Sequence, residues 1–199
     1  MGNEITTKEI NQIILNYWEE LEPYCLAIYR SGSRADPIIE NPHDHDYIFL
    51  AKPLQLTNLK RVIFKMRTMI KESLNIPLDL RIDYIHTNNN LRIVHFSYLD
   101  FFLELIAGTD ICPKANILKE HRQEFIETIK FRAERLLDIS SVYSEQKRWY
   151  HILRGVYILL NNSYEITEEQ KKEINILHDL SEGWEEVRDK CIKLLENVK

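Results

Sequence analysis

No run of apolar residues in this 199-residue chain approaches the roughly 18 needed to cross a bilayer as a helix, and no secretory-leader pattern opens it. The reading is therefore a protein without a membrane role. Cysteine is scarce: Cys25, Cys112 and Cys191 lie far apart with no CxxC pair. An odd, scattered set argues against a disulfide framework or a zinc site and for a reducing cytoplasm. Repeats, low-complexity tracts and long linkers are missing as well. The first residues, Met1-Gly2-Asn3-Glu4-Ile5-Thr6, formally fit an acylation pattern, but Glu4 and the lack of a polybasic partner make coincidence the better explanation. Nor does the chain hold an excess of positive charge. It carries 26 Lys and Arg against 31 Asp and Glu, a net charge of −5. Residues 1–116 hold 12 basic and 15 acidic side chains, and residues 117–199 hold 14 and 16. That even balance disfavours a protein that coats nucleic acid, while a local basic site for one nucleotide or one RNA end stays open.

What is present is an ordinary globular composition, 44% hydrophobic and 29% charged, enough for one core or a core with an appended helical module. Thr6-x-x-Glu9 forms a capping box for a helix from Thr7 to about Leu21, with Ile10, Ile13, Ile14, Tyr17 and Trp18 at helical spacing. Strands are expected at Cys25–Tyr29, Tyr47–Leu50 and Leu78–Ile85, and a return strand at Leu91–Val94 after the turn Thr87-Asn88-Asn89-Asn90. A second helix fits Thr57–Leu74, and a third is expected from a cap at Ser97 to near Gly108. Beyond Ile117 the pattern is helical, near 117–138, 145–161, 167–180 and 183–197, with Ser144 and Thr167 as caps. The expectation is an α+β fold: a small mixed sheet with flanking helices over residues 1–112, then a helical bundle over 113–199.

One stretch does not fit a plain core strand. In Arg30-Ser31-Gly32-Ser33-Arg34-Ala35 the Gly-Ser pair is separated by ten residues from Asp44 of His43-Asp44-His45-Asp46, which runs into Tyr47-Ile48-Phe49-Leu50. Residues 44 and 46 are two apart on a strand, so their carboxylates share one face, about 6.5–7 Å apart at Cα. Such a pair can share a hard divalent cation, and Mg²⁺ favours one or two carboxylates plus substrate phosphates. Gly32-Ser33 permits close backbone approach and an anion-binding nest, to which Arg34 and Arg30 add charge. Phosphate beside metal is the layout of phosphoryl or nucleotidyl transfer.

Gly-Ser, ten residues, then Asp-x-Asp entering a strand resembles the signature of the DNA polymerase β-like nucleotidyltransferase superfamily, and the Gly32-Ser33-Arg34-Ala35 form resembles its small bacterial and phage members. The resemblance covers roughly residues 25–86. It implies Gly-Ser at the start of a helix beneath a triphosphate, and Asp44 and Asp46 holding two Mg²⁺, with Mn²⁺ as the substitute. A third carboxylate from a nearby strand would complete the set. Asp79 sits where the family has that aspartate, and Asp83, on the same face by alternation, stays open as the alternative. Two departures stand out: the segment after Ala35 is rich in Pro and Ile where the family often has glycine, and Ser31 stands where an apolar residue is commoner.

Lys147, His151 and Arg154 fall at i, i+4 and i+7, one stripe of a helix that is similar to the repair-ligase-associated branch of the superfamily. The resemblance implies contacts to the β- and γ-phosphates, against a default of a solvated face. Trp149, Tyr150 and Tyr157 read as bundle core rather than base-stacking groups. The His-Asp repeats do not suit a histidine-aspartate phosphohydrolase, whose ligands sit on helices. Lys60, Arg61, Arg67 and Lys71 give the second helix a basic side, which is more often solvent-facing than an RNA track. Asp100 and Glu104 read as exposed, one helical turn apart. The expected activity is metal-dependent transfer of NMP from an NTP donor to a hydroxyl of a nucleic-acid end, a protein or a small molecule, releasing pyrophosphate. The alternative is an inactive relative of the same fold that binds a nucleotide or a protein partner.

Overall fold

The computed structural model describes residues 7–40, 42, 45–74, 79–84, 103–110, 118, 122–138, 146 and 148–199. Their contacts divide the chain into two compact units. One comprises Met1–Asp36, His43–Ile93 and Phe102–Cys112, and the other Pro37–Pro42, Val94–Phe101 and Pro113–Lys199.

In the first unit α1 (Thr7–Asn16) and α2 (Trp18–Leu21) lead into β1 (Cys25–Ser31). A single 3₁₀ turn, Ser33–Ala35, follows, then β2 (Asp46–Ala51), α3 (Leu56–Leu74), β3 (Asp79–Tyr84) and β4 (Glu104–Gly108). The sheet order is β3-β2-β1-β4. β1 runs antiparallel to both β2 and β4, while β2 and β3 are parallel. This is the small mixed sheet that the pattern called for. The β2–β3 pairing is parallel because α3 returns the chain to the starting end, as a crossover helix does.

Apolar spacing explains which face is covered. Ile10, Ile14, Tyr17 and Leu21 meet Leu59, Ile63, Met66 and Ile70 of α3 over Cys25, Ile28, Tyr47, Phe49 and Ala51 of the sheet. Residues 47, 49 and 51 share that face by simple alternation. Cys25 and Ile28 share it only because a bulge between Cys25 and Ala27 shifts the phase of β1. Each fully buried Ile or Leu in this layer contributes roughly 1.5–3 kcal/mol. By the same alternation Asp46, Ile48 and Leu50 take the opposite face.

The second unit contains α4 (Arg122–Asp138), α5 (Trp149–Asn161), α6 (Glu168–Asp179) and α7 (Trp184–Asn197). α5 is its central helix: Trp149, Tyr150, Ile152, Leu153 and Val156–Leu159 are all buried. The expected cap at Thr167 forms in full. Its hydroxyl accepts from the Gln170 backbone N–H at 3.2 Å while Gln170 Oε1 accepts from the Thr167 N–H at 3.0 Å.

Two expectations change. The first helix breaks at Tyr17 into α1 and α2. The helix expected to run to Gly108 gives way, over its described end, to β4, in which Leu105, Ala107 and Gly108 pair with β1. The Thr6 and Ser144 caps, the 87–90 turn, the 91–94 strand and the Ser97 cap lie outside the described residues.

Candidate active site

Gly32 is the pivot. Its φ of 69° and ψ of −160° lie in a region open essentially to glycine alone. A Cβ placed there would fall 2.1 Å from Asp46 Oδ2, because Ser31 pairs in register with Asp46 across β1 and β2. The Asp46 carboxylate therefore lies directly against the backbone of the Gly-Ser turn, with room for a hydrogen and nothing larger. The turn is tight: the Ala35 N–H donates to the Gly32 carbonyl at 3.1 Å and the Asp36 N–H to the Ser33 carbonyl at 3.2 Å. Ser33 is buried, and Arg34 is half-buried. The resemblance implied that a helix starts at Gly-Ser, yet only one 3₁₀ turn forms. Asp36 precedes Pro37 and takes φ −93°, ψ 112°, the extended conformation that a following proline enforces.

The parallel register settles where the 79–84 strand lies. Asp79 stands opposite Asp46, and Asp83 stands opposite Leu50, roughly 13 Å further along at about 3.3 Å per residue. Position 79 is thus at the same end of the sheet as Gly32 and Asp46, and position 83 is not. Asp44 lies outside the described residues. Among those described, no group of three His, Cys, Asp or Glu side chains gathers as metal ligands.

Arg30 and Tyr47, near this end of the sheet, both have side-chain partners. Arg30, which pairs in register with Glu104 across β1 and β4, makes an ion pair with it. Glu104 is exposed, as expected, but it is a strand residue with a partner and not a helical one. Tyr47, on the helix-covered face, donates its hydroxyl to Asn11 Oδ1 at 2.5 Å. Burial pushes its phenol well up, so it stays a neutral donor. Two further groups are buried here: Asp36, which the pattern did not single out, and His45, which was weighed with the His-Asp repeats and set aside as a ligand. Short polar side chains next to a Gly-Ser turn carry no periodic signal that would separate them from loop.

The sequence between the turn and Asp46 belongs in part to the helical unit. There Asn175 of α6 donates from Nδ2 to the Ile38 carbonyl at 3.0 Å and accepts the Glu40 N–H at 3.0 Å. It also donates to Lys171 O at 2.9 Å, so its side-chain amide is nearly saturated. Asn175 carries no motif or spacing in the sequence that would single it out.

Of the second constellation, Lys147 lies outside the described residues. His151 is half-buried and Arg154 is only 2% exposed. The α5 stripe is therefore no solvated face, and Trp149, Tyr150 and Tyr157 are bundle core as expected. Tyr150 packs against His151, ring centroids 3.9 Å apart, and edge-on against His178, which is hydrogen-bonded to Asp179 at 2.6 Å. The structure brings Gly32, Ser33, Arg34 and Asp46 together with the backbone of Asp79. His151 and Arg154 belong to the other unit.

No family model matches the chain, and no curated protein matches it. Among solved structures, it is similar to a mutant form of the toxin–antitoxin MntA-HpeT at 12% identity, over 68% of this chain and 96% of that one, with a TM-score of 0.33. It is similar to a toxin–antitoxin with AMP-PNP at 13% identity over the same shares, with a TM-score of 0.31. Overlaps this loose set no residue-by-residue correspondence.

Proposed function

We propose that the chain is a metal-dependent nucleotidyltransferase that moves NMP from an NTP to a hydroxyl acceptor. The observation that carries this reading is the contact of the Asp46 carboxylate with the Gly32 backbone at the end of the sheet where Asp79 stands in register. A solvated strand end gives no reason to press a carboxylate against the backbone of a tight Gly-Ser turn. Phosphate transfer does, since it needs an anion cradle and a hard-cation site side by side.

The donor set suits Mg²⁺: Asp46, with Asp44 and Asp79 as the further carboxylates, offers only hard oxygen ligands. When bound, the metal would supply charge neutralisation for the triphosphate and its transition state. Gly32, Ser33 and Arg34 hold the phosphate oxygens. Asp79 takes the proton of the acceptor hydroxyl as its oxygen bonds to the α-phosphorus, and the bond from that phosphorus to the bridging oxygen breaks to release pyrophosphate. Lys147, His151 and Arg154 are proposed as further phosphate-binding residues.

Titration of the purified protein with each of the four NTPs, with and without Mg²⁺, tests the reading. Metal-dependent binding of one NTP that Asp46→Asn weakens at least tenfold is the expected result. No metal-dependent binding by folded wild type overturns the transferase and leaves a partner-binding relative of the fold.

A further inference from the structure

We infer that the outward face of α3 is a binding surface for single-stranded nucleic acid. Between Tyr47 and Lys71 the chain has six basic residues, Lys52, Lys60, Arg61, Lys65, Arg67 and Lys71, and no acidic one. The 26 basic residues less those six leave 20 against 31 acidic elsewhere. Five of the six, all but Lys52, lie on α3, whose one acidic residue is Glu72, so a net-negative protein concentrates positive charge on this helix.

The helical turn then sorts these residues. Leu59, Ile63, Met66 and Ile70 fill the core face. Lys60, Phe64 and Arg67 recur at i, i+4 and i+7, one stripe along the helix, and position 71 continues the spacing. Arg61 and Thr68 flank that stripe. Lys60, Arg61 and Arg67 are exposed, and among the described residues none of the three makes an ion pair. Lys65 is different: it turns to the opposite edge and pairs with Glu20 at 2.9 Å.

Phe64 decides what the charge is for. It is 73% exposed in the middle of the stripe, between Lys60 and Arg67. An aromatic ring held in water is the cost of a surface that stacks something flat. Lys60 and Arg67 are about 10 Å apart along the axis at 1.5 Å per residue, so a strand can place phosphates on both and a base on the ring between them. Basic residues interleaved with an aromatic platform are the means by which proteins hold single strands without reading sequence.

Two other anionic partners fit less well. A protein interface centres on contiguous apolar surface, and Phe64 has only charged and hydroxyl neighbours on its stripe. A membrane-surface helix needs several large apolar side chains on one face. Met69, the other exposed apolar residue of α3 among those described, lies on the far edge, where it accepts from the Tyr17 hydroxyl.

The test is fluorescence anisotropy of the full chain with a labelled single-stranded RNA of about 12 nucleotides, its DNA counterpart and the matched duplex, across a salt series. Polyglutamate and phosphatidylserine-containing vesicles serve as competitors, and far-UV circular dichroism verifies each variant. Single strands of both sugars should bind in preference to duplex, with a log–log salt slope of about −2 for three phosphate contacts. Lys60→Gln/Arg67→Gln should weaken binding at least tenfold and flatten the slope, while Phe64→Ala should weaken it severalfold and leave the slope unchanged. Asp46→Asn should bind as wild type does, which separates this surface from the transferase reading. The inference is overturned by no binding at low salt, by binding that the folded variants retain, or by polyglutamate or vesicles competing as well as RNA.

Discussion

At the scale of one residue, the site rests on Gly32. Its backbone lies where only glycine is comfortable, and strain there for another residue is about 1–3 kcal/mol before any contact is counted. A methyl group adds a collision with Asp46 Oδ2 at 2.1 Å. Gly32→Ala should therefore lower the stability of the protein by roughly 1–3 kcal/mol. It should also displace the carboxylate, so metal-dependent NTP binding falls further than the stability loss alone accounts for. Urea denaturation and the NTP titration, run on the same preparation, check both halves. Unchanged NTP affinity in the variant would separate Asp46 from the function of the turn. The sequence made Gly32 and Asp46 legible because a Gly-Ser pair before an Asp-x-Asp strand is a rare combination. It left Asp79 and Asp83 open because alternation puts both on one face. Only the pairing register of β3, a non-local property, distinguishes them. Asn175 was illegible for a related reason: its partners, Ile38 and Glu40, lie far from it in sequence.

At the scale of elements, α3 and the strands at 25–31, 46–51 and 79–84 were legible in the sequence, and the segment ending at Gly108 was not. α3 departs by one residue from the expected Thr57 start, because five turns of periodicity leave little choice. Leu103–Ala107 is apolar except for Glu104, and a run of that length carries no decisive period of its own. β1 settles it, through a ladder from Ala27 and Gly108 to Arg30 and Glu104. Gly155 shows packing overriding propensity within α5. Alanine is about 1 kcal/mol better than glycine in a helix interior. Yet a Cβ at 155 would meet Ile129 Cδ1 of α4 at 2.1 Å, with Ile129 Cγ1 at 3.2 Å and Phe125 Cζ at 3.4 Å behind it. Ile129 and Phe125 are fully buried, so the ring and the branched chain have little room to yield. Overpacking of this kind costs about 1–3 kcal/mol. Gly155→Ala should be destabilising on balance, and Ile129→Val, which removes Cδ1, should cost less in that background than in wild type. A double-mutant cycle in urea measures the difference, and additive effects would show that α4 and α5 adjust freely.

For the whole molecule, the buried ionisable groups set a boundary on the alkaline side. Burial pushes the Cys25 thiol up to about 12 from 9.0, and it carries the Cys191 thiol beyond that range. Tyr47 is raised by burial, and Tyr157 by burial together with its hydrogen bond to Glu173. One cysteine and one tyrosine of this set lie in each unit. All four are acids held neutral in the folded state. In the unfolded chain the thiols lose their protons near 9.0, and the folded protein then binds more protons than the unfolded one. The stabilisation is fully present below about pH 9 and is lost progressively as pH rises toward 12. Each thiol can remove at most about 1.4 kcal/mol per pH unit. Urea midpoints measured from pH 8 to pH 10.5 should hold level to about 9 and then fall, and the fall should be shallower in Cys25→Ala/Cys191→Ala. The comparison rests on slopes, so the packing lost with two sulfur atoms shifts the curves without disturbing the result. A flat profile through pH 10.5 would mean that water reaches both thiols, and with it the sheet core around Cys25 and the helical core around Cys191.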